Sequence, residues 1–65
     1  MVIKVNGEDR GVADALDVLG LIAQHKLTPE KVAIELNRRL LKRDRYNTVL
    51  KAGDQVEIVT FVGGG

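Results

Sequence analysis

The chain opens on a short β-branched apolar run, Met1-Val2-Ile3-Lys4-Val5, followed at once by Asn6-Gly7. Asn-Gly is the strongest short-range hairpin signal, because a type I′ turn needs φ > 0 at both central positions and these residues tolerate it. The returning strand is expected at about Glu8 to Val12, where Asp9 and Gly11 lower strand propensity and point to a sheet edge. Ala13 to Leu27 reads as helical, in one of two registers. Val12, Ala15, Leu16, Leu19 and Ala23 share one helix face. Alternatively Asp17 is the N-cap, and Val18, Leu21, Ile22 and His25 share a face. The second register is preferred, since it leaves Glu8 to Val12 free for the strand. In either, Gly20 lies inside the helix at a cost of about 1 kcal/mol relative to Ala.

Thr28 to Leu40 supports two patterns. With Thr28 as N-cap, Pro29 at the first helical position and Val32, Leu36 and Leu40 four apart, the segment is a helix. Yet Val32, Ile34 and Leu36 also alternate with Ala33, Glu35 and Asn37, as in a half-buried strand. In the strand reading, Asn37-Arg38-Arg39 is a turn leading to a short strand at Leu40-Leu41. Local pattern alone slightly favours the helix.

Beyond this, Asp44-Arg45-Tyr46-Asn47 has no regular period and is expected to form a turn or a single 3₁₀ turn, with the Tyr46 ring over a sheet edge. Ala52-Gly53-Asp54 is a turn. The final strand is expected from Gln55 to Val62. Val56 and Ile58 suit a core face, whereas Val59 and Phe61 alternate onto the other face with Gln55 and Glu57.

Composition narrows the function classes. Sixty-five residues, 45% of them hydrophobic, make one domain with one small core. Without cysteine there is no disulfide and no thiolate nucleophile, metal ligand or sulfur carrier on a side chain. One His and scattered carboxylates assemble neither a zinc site nor a nucleophile–base triad, so the chain does not read as an enzyme. Ten Lys and Arg balance nine Asp and Glu, which gives no global signature of a nucleic-acid or membrane binder. No apolar stretch approaches the roughly eighteen residues of a membrane span, and no basic-then-apolar leader opens the chain. A cytoplasmic monomer is the default expectation.

Three features remain for chemistry. Gly63-Gly64-Gly65 follows the last strand and bears the final carboxylate. Glycines there contribute nothing to a core, so they read either as a frayed end or as a slim reactive arm threaded into another protein's active site. Val59, Phe61 and Val62 beside this arm read as a docking patch, or as ordinary exposed apolar residues. Arg38, Arg39, Lys42, Arg43 and Arg45 form a basic stretch that reads first as a solvated loop, then as a patch for an acidic protein, and last as a nucleic-acid contact. His25 reads as a helix-terminal residue without assigned chemistry.

Taken together, the order hairpin, helix, Val32-Ala33-Ile34-Glu35-Leu36-Asn37, Asp44-Arg45-Tyr46, Val49-Leu50, Gly53-Asp54-Gln55-Val56-Glu57-Ile58-Val59 and a terminal Gly-Gly resembles the ThiS family, sulfur carriers of thiamine biosynthesis. The resemblance covers essentially the whole chain and is most specific in the Gly53 to Val59 run and the Gly64-Gly65 end. It implies an α+β fold, a ubiquitin-like β-grasp with a mixed sheet of four to five strands curled around one main helix. That fold makes Val32 to Asn37 a strand and puts the final strand at the centre of the sheet. Residues 1–62 would be the single domain and 63–65 a flexible tail.

The same resemblance implies a non-catalytic carrier. An E1-like adenylyltransferase would consume ATP to adenylate the Gly65 carboxylate, with no cofactor bound by the chain itself. A sulfur donor protein would convert the adenylate to a thiocarboxylate, and thiazole synthase would receive the sulfur. Gly63 and Gly64 would give reach and clearance. A free α-carboxyl titrates near 3.5, so at neutral pH it is the anion that must attack phosphorus. The chain departs from the family pattern at Arg38-Arg39, where a Gly-containing turn is frequent, at Lys42, where proline is common, and in carrying a third glycine. The alternatives are a carrier for another pathway, of the molybdopterin synthase small-subunit type, and a binding module that uses the basic loop 38–45.

Overall fold

The computed structural model describes residues 1–61, so the expectations at Val62, Gly63, Gly64 and Gly65 lie outside the described residues. Strand β1 (Val2–Val5) turns through Asn6 and Gly7, both at positive φ (50° and 83°), into antiparallel β2 (Glu8–Gly11). The turn is the one Asn-Gly predicts. β2 stops at Gly11, one residue short of expectation, although the Val12 N–H still reaches the Met1 carbonyl at 2.8 Å.

The one α-helix among the described residues, α1 (Val18–Gln24), adopts the register capped by Asp17. It is shorter than the helical span 13–27 read from the sequence, and its start is fully satisfied. Val18 N–H donates to the Thr48 carbonyl, Leu19 N–H to the Tyr46 carbonyl and Gly20 N–H to Asp17 Oδ1 at 2.8 Å. These are the N–H groups a helix leaves orphaned at its first turn. Gly20 has a packing reason, since a Cβ there would stand 2.6 Å from Leu16 Cδ1. At the other end Lys26 takes φ 58°, with its N–H on the Ala23 carbonyl and Leu27 N–H on that of Ile22. This is a Schellman closure with lysine at the position glycine usually holds.

Pro29–Lys31 forms one 3₁₀ turn, and the chain then extends as β3 (Val32–Leu36), so the alternating pattern and not the four-residue period describes this segment. Asn37 and Arg38, at φ 53° and 69°, make a two-residue turn into β4 (Arg39–Leu41). Arg39 is therefore strand, not turn. A second 3₁₀ turn, Arg43–Arg45, precedes Tyr46, which is buried at 4% exposure and belongs to the core instead of lying over a sheet edge. The reason is that segment 46–50 is stitched to the helix start: besides the two carbonyls above, Leu50 N–H donates to the Leu16 carbonyl.

Strand β5 (Gln55–Thr60) completes a five-stranded mixed sheet in the order β2-β1-β5-β3-β4. It runs parallel to β1 and antiparallel to β3, and lies at the centre as the β-grasp arrangement requires. β5 ends at Thr60, with Phe61 outside it, two residues before the expected end at Val62. One sheet face packs on α1. The core comprises Ile3, Val5, Val18, Leu21, Ile22, Val32, Ile34, Tyr46, Leu50, Val56 and Ile58. Each such aliphatic contributes about 1.5–3 kcal/mol through burial.

Candidate functional site

The Gly53 to Val59 run, read in place, has a separate job for each residue. Gly53 sits at φ 86° in the turn before β5, a conformation that favours glycine. Asp54 locks this turn: its Oδ2 accepts from Lys51 N–H at 2.8 Å and its Oδ1 from Asn37 Nδ2 at 3.1 Å. Asn37 Oδ1 in turn accepts from Gln55 N–H at 2.9 Å, so the β3–β4 turn and the entry to β5 are held together. Val56 and Ile58 then point into the core at 1% and 8% exposure. Glu57 and Val59 point the other way.

That opposite face is open. Directly across from Val59 on β3 is Ala33, across from Glu57 is Glu35, and across from Glu35 on β4 is Leu40. Val59 is 55% exposed, Phe61 61% and Leu40 70%. The two docking residues predicted at Val59 and Phe61 are therefore exposed, as expected, and the third, Val62, lies outside the described residues. Leu40 carries no such signal in the sequence, where its segment fits both a helix and a strand. The two carboxylates facing each other at Glu35 and Glu57 give this face a local negative charge. Among the described residues neither forms an ion pair; the ion pairs present join Lys4 to Asp9 at 2.8 Å and the Met1 amino group to Asp14 at 3.2 Å. Like charges directly opposite each other destabilise a sheet, so the pair has no structural benefit in the free domain.

Phe61 N–H donates to the Lys31 carbonyl at 3.0 Å, which extends the antiparallel ladder with β3 one step beyond β5 itself. Phe61, the last described residue, thus remains paired at the end of the central strand, beside the exposed apolar and acidic face. On the β1 side the ladder is finished by a side chain: Asn6 Oδ1 accepts from Ile58 N–H at 2.7 Å. Sequence reading gave Asn6 a turn role only. The signal for the second role is tertiary, since the two residues are 52 positions apart.

The basic residues Arg38, Arg39, Lys42, Arg43 and Arg45 are all exposed, at the far margin of the sheet around β4. The structure does not bring them together with Val59 or Phe61 on one strand. His25 caps the helix, with Nδ1 3.0 Å from the Leu21 carbonyl. No helix among the described residues is long and apolar enough to cross a membrane.

Comparison with known proteins places this arrangement. The ThiS family profile matches residues 3–65. The sulfur carrier protein ThiS of Bacillus subtilis is 35% identical over 66 residues, covering 98% of this chain and all of that one. A thiazole synthase from Magnetococcus marinus is 39% identical over 66 residues, across the whole of this chain. The chain spans only 20% of that relative's length. A crystal structure of the thiamine biosynthesis protein ThiS from Geobacter metallireducens superposes with a TM-score of 0.81 at 38% identity, covering the whole of both chains.

Proposed function

The chain belongs to the ThiS family, and from that premise we propose that it is a sulfur carrier of thiamine biosynthesis whose reacting group is the carboxylate of Gly65. One observation carries the reading above the others: the family match runs through residue 65 and so includes the terminal glycines. The likeness to the sulfur carrier protein ThiS of Bacillus and to the thiamine biosynthesis protein of Geobacter supports thiamine biosynthesis over the molybdopterin alternative.

The chemistry required is modest. A carboxylate resists nucleophilic attack because its charge is delocalised over two oxygens, so oxygen must first become a leaving group. An adenylating enzyme lets a Gly65 carboxylate oxygen attack the α-phosphorus of ATP, and pyrophosphate departs. Hydrosulfide supplied by a donor protein then attacks the carbonyl carbon, the bond from that carbon to the AMP oxygen breaks so that AMP leaves, the proton of the attacking sulfur is lost to solvent, and a thiocarboxylate remains for thiazole synthase. The chain supplies no acid, base or metal to these steps; it supplies the carboxylate and the surface that brings it to each enzyme. ATP is bound and consumed by the partner, in the cytoplasm. Val59 and Phe61, exposed next to the tail, dock the adenylating enzyme, and Gly63 and Gly64 provide clearance in its channel. The Magnetococcus thiazole synthase, which matches the whole of this chain within a fifth of its length, supports thiazole synthase as the sulfur acceptor.

Intact-protein mass after incubation with ATP, magnesium, the adenylating enzyme and a sulfur source tests the reading. A gain equal to replacing one oxygen by sulfur, placed on Gly65 by fragmentation, is the expected result. Addition of one residue after Gly65 should abolish it, and sulfur transfer that survives that addition would sink the proposal.

A further inference from the structure

Backbone hydrogen bonds along β5 alternate between its two neighbours. On the β3 side Phe61 N–H donates to Lys31, and Asn37 N–H donates to the Gln55 carbonyl, so residues 55, 57, 59 and 61 face β3. Residues 56, 58 and 60 therefore turn their N–H and C=O groups toward β1. There the Val56 carbonyl takes the Asn6 N–H at 2.9 Å. A continuing parallel ladder would next bring the Asn6 carbonyl to the Ile58 N–H. The chain has already turned at Asn6 (φ 50°), and the Asn6 side-chain oxygen takes that place at 2.7 Å. Beyond it the ladder stops while β5 runs on. Among the described residues, the Ile58 carbonyl and the Thr60 N–H have no hydrogen-bond partner on this side.

We infer that this half-open edge of β5, at Ile58 and Thr60, is a strand-pairing site for an extended segment of the enzyme that takes up Gly65. The inference rests on the carrier reading and deepens it by naming what the partner offers. One residue in extended conformation, lying opposite Val59, donates its N–H to the Ile58 carbonyl and accepts from Thr60 N–H, continuing the parallel ladder that Asn6 closes. The occupant follows from reach. Gly65 lies five positions beyond Thr60, a stretch that at full extension spans at most about 18 Å. Any enzyme that holds the Gly65 carboxylate in its active site must therefore lie against the end of β5. The edge adjoins the exposed Val59 and Phe61 side chains, so main-chain pairing and apolar contact form one footprint.

Proline at position 60 removes the unpaired N–H and nothing that the free fold uses, and proline is tolerated at such an outward-facing strand position. The experiment compares wild type, Thr60→Ala and Thr60→Pro for binding to the adenylating enzyme by calorimetry and for thiocarboxylate formation by intact mass, with melting curves of each. Expected are wild-type affinity for Thr60→Ala and a loss of about three- to tenfold for Thr60→Pro, the size of one neutral hydrogen bond. Equal binding by a folded Thr60→Pro overturns the pairing. As a measurement independent of that variant, amide exchange at Thr60 in the wild type should slow on complex formation, and unchanged exchange in a saturated complex also overturns it. If the wild type is neither bound nor thiocarboxylated, the carrier reading falls and the pairing with it. Thiocarboxylation without pairing overturns the pairing alone.

Discussion

Asn6 and Ile58 are joined by a side-chain to main-chain hydrogen bond of 2.7 Å that spans almost the whole sequence. One asparagine thereby does two things, supplying positive φ to the first turn and an acceptor to the central strand. Glycine at this position keeps the first role and removes the second. Asn6→Gly should cost about 1–3 kcal/mol, the penalty for a partly buried donor left without its partner, whereas Asn6→Asp should retain most of the stability. Urea unfolding of the three proteins measures this, and a glycine variant as stable as wild type would contradict the assigned role.

Docking through the open sheet face predicts a separation of stability from binding. Val59→Asp and Phe61→Asp replace side chains that are more than half exposed, so each should keep unfolding free energy within about 1 kcal/mol of wild type, the range of strand propensities. Both should weaken association with the adenylating enzyme at least about tenfold, as loss of an apolar anchor does. Calorimetric titration beside thermal melts separates the two effects, and an unaltered Kd for both variants would remove Val59 and Phe61 from the footprint.

Arg38 sits at φ 69° in the two-residue turn between β3 and β4, where a side chain is strained. An L-residue there costs about 1–2 kcal/mol, and the greater backbone freedom of glycine in the unfolded chain takes back about half of it. Arg38→Gly should therefore stabilise the domain by about 0.5–1 kcal/mol and leave thiocarboxylation unaffected. A shift of the melting temperature upward is the expected sign; a downward shift would show that the arginine makes a compensating contact.

Tyr46 is the one aromatic residue in the core, and its own backbone carbonyl holds the Leu19 N–H at the start of α1. Truncation to alanine should cost about 3–5 kcal/mol, as for other buried aromatics, which would leave so small a domain largely unfolded. Circular dichroism of Tyr46→Ala should show the loss. A native-like spectrum and melt would mean that the ring contributes little to the core.

Much of this architecture could be read from local chemistry. Asn6-Gly7, the Asp17 cap and the alternation of Val56 and Ile58 each depend on neighbours in sequence, and each appears where expected. Residues 28–36 were ambiguous because the same apolar side chains fit periods of two and of nearly four. Antiparallel pairing with β5 from Val32↔Thr60 to Leu36↔Val56 decides for the strand, and no local pattern contains that information. The burial of Tyr46 was missed for a related reason, since its partners lie in the helix start about thirty positions earlier. The docking face was half visible: alternation exposed Val59 and Phe61, but Leu40 and the Glu35–Glu57 pair become neighbours only through strand register.

The central place of the last strand also governs how the chain matures on the ribosome. β1–β2 and β3–β4 are separate hairpins, and β5 is the strand that joins them. A nascent chain that has released residues 1–54 has two hairpins and a helix with no sheet to unite them. Folding must await Gln55 to Thr60, with pairings that are long in sequence and slow to form. A polypeptide cut short within or before that stretch lacks the strand that unites the two hairpins, is left unfolded for proteolysis and does not persist as a folded decoy.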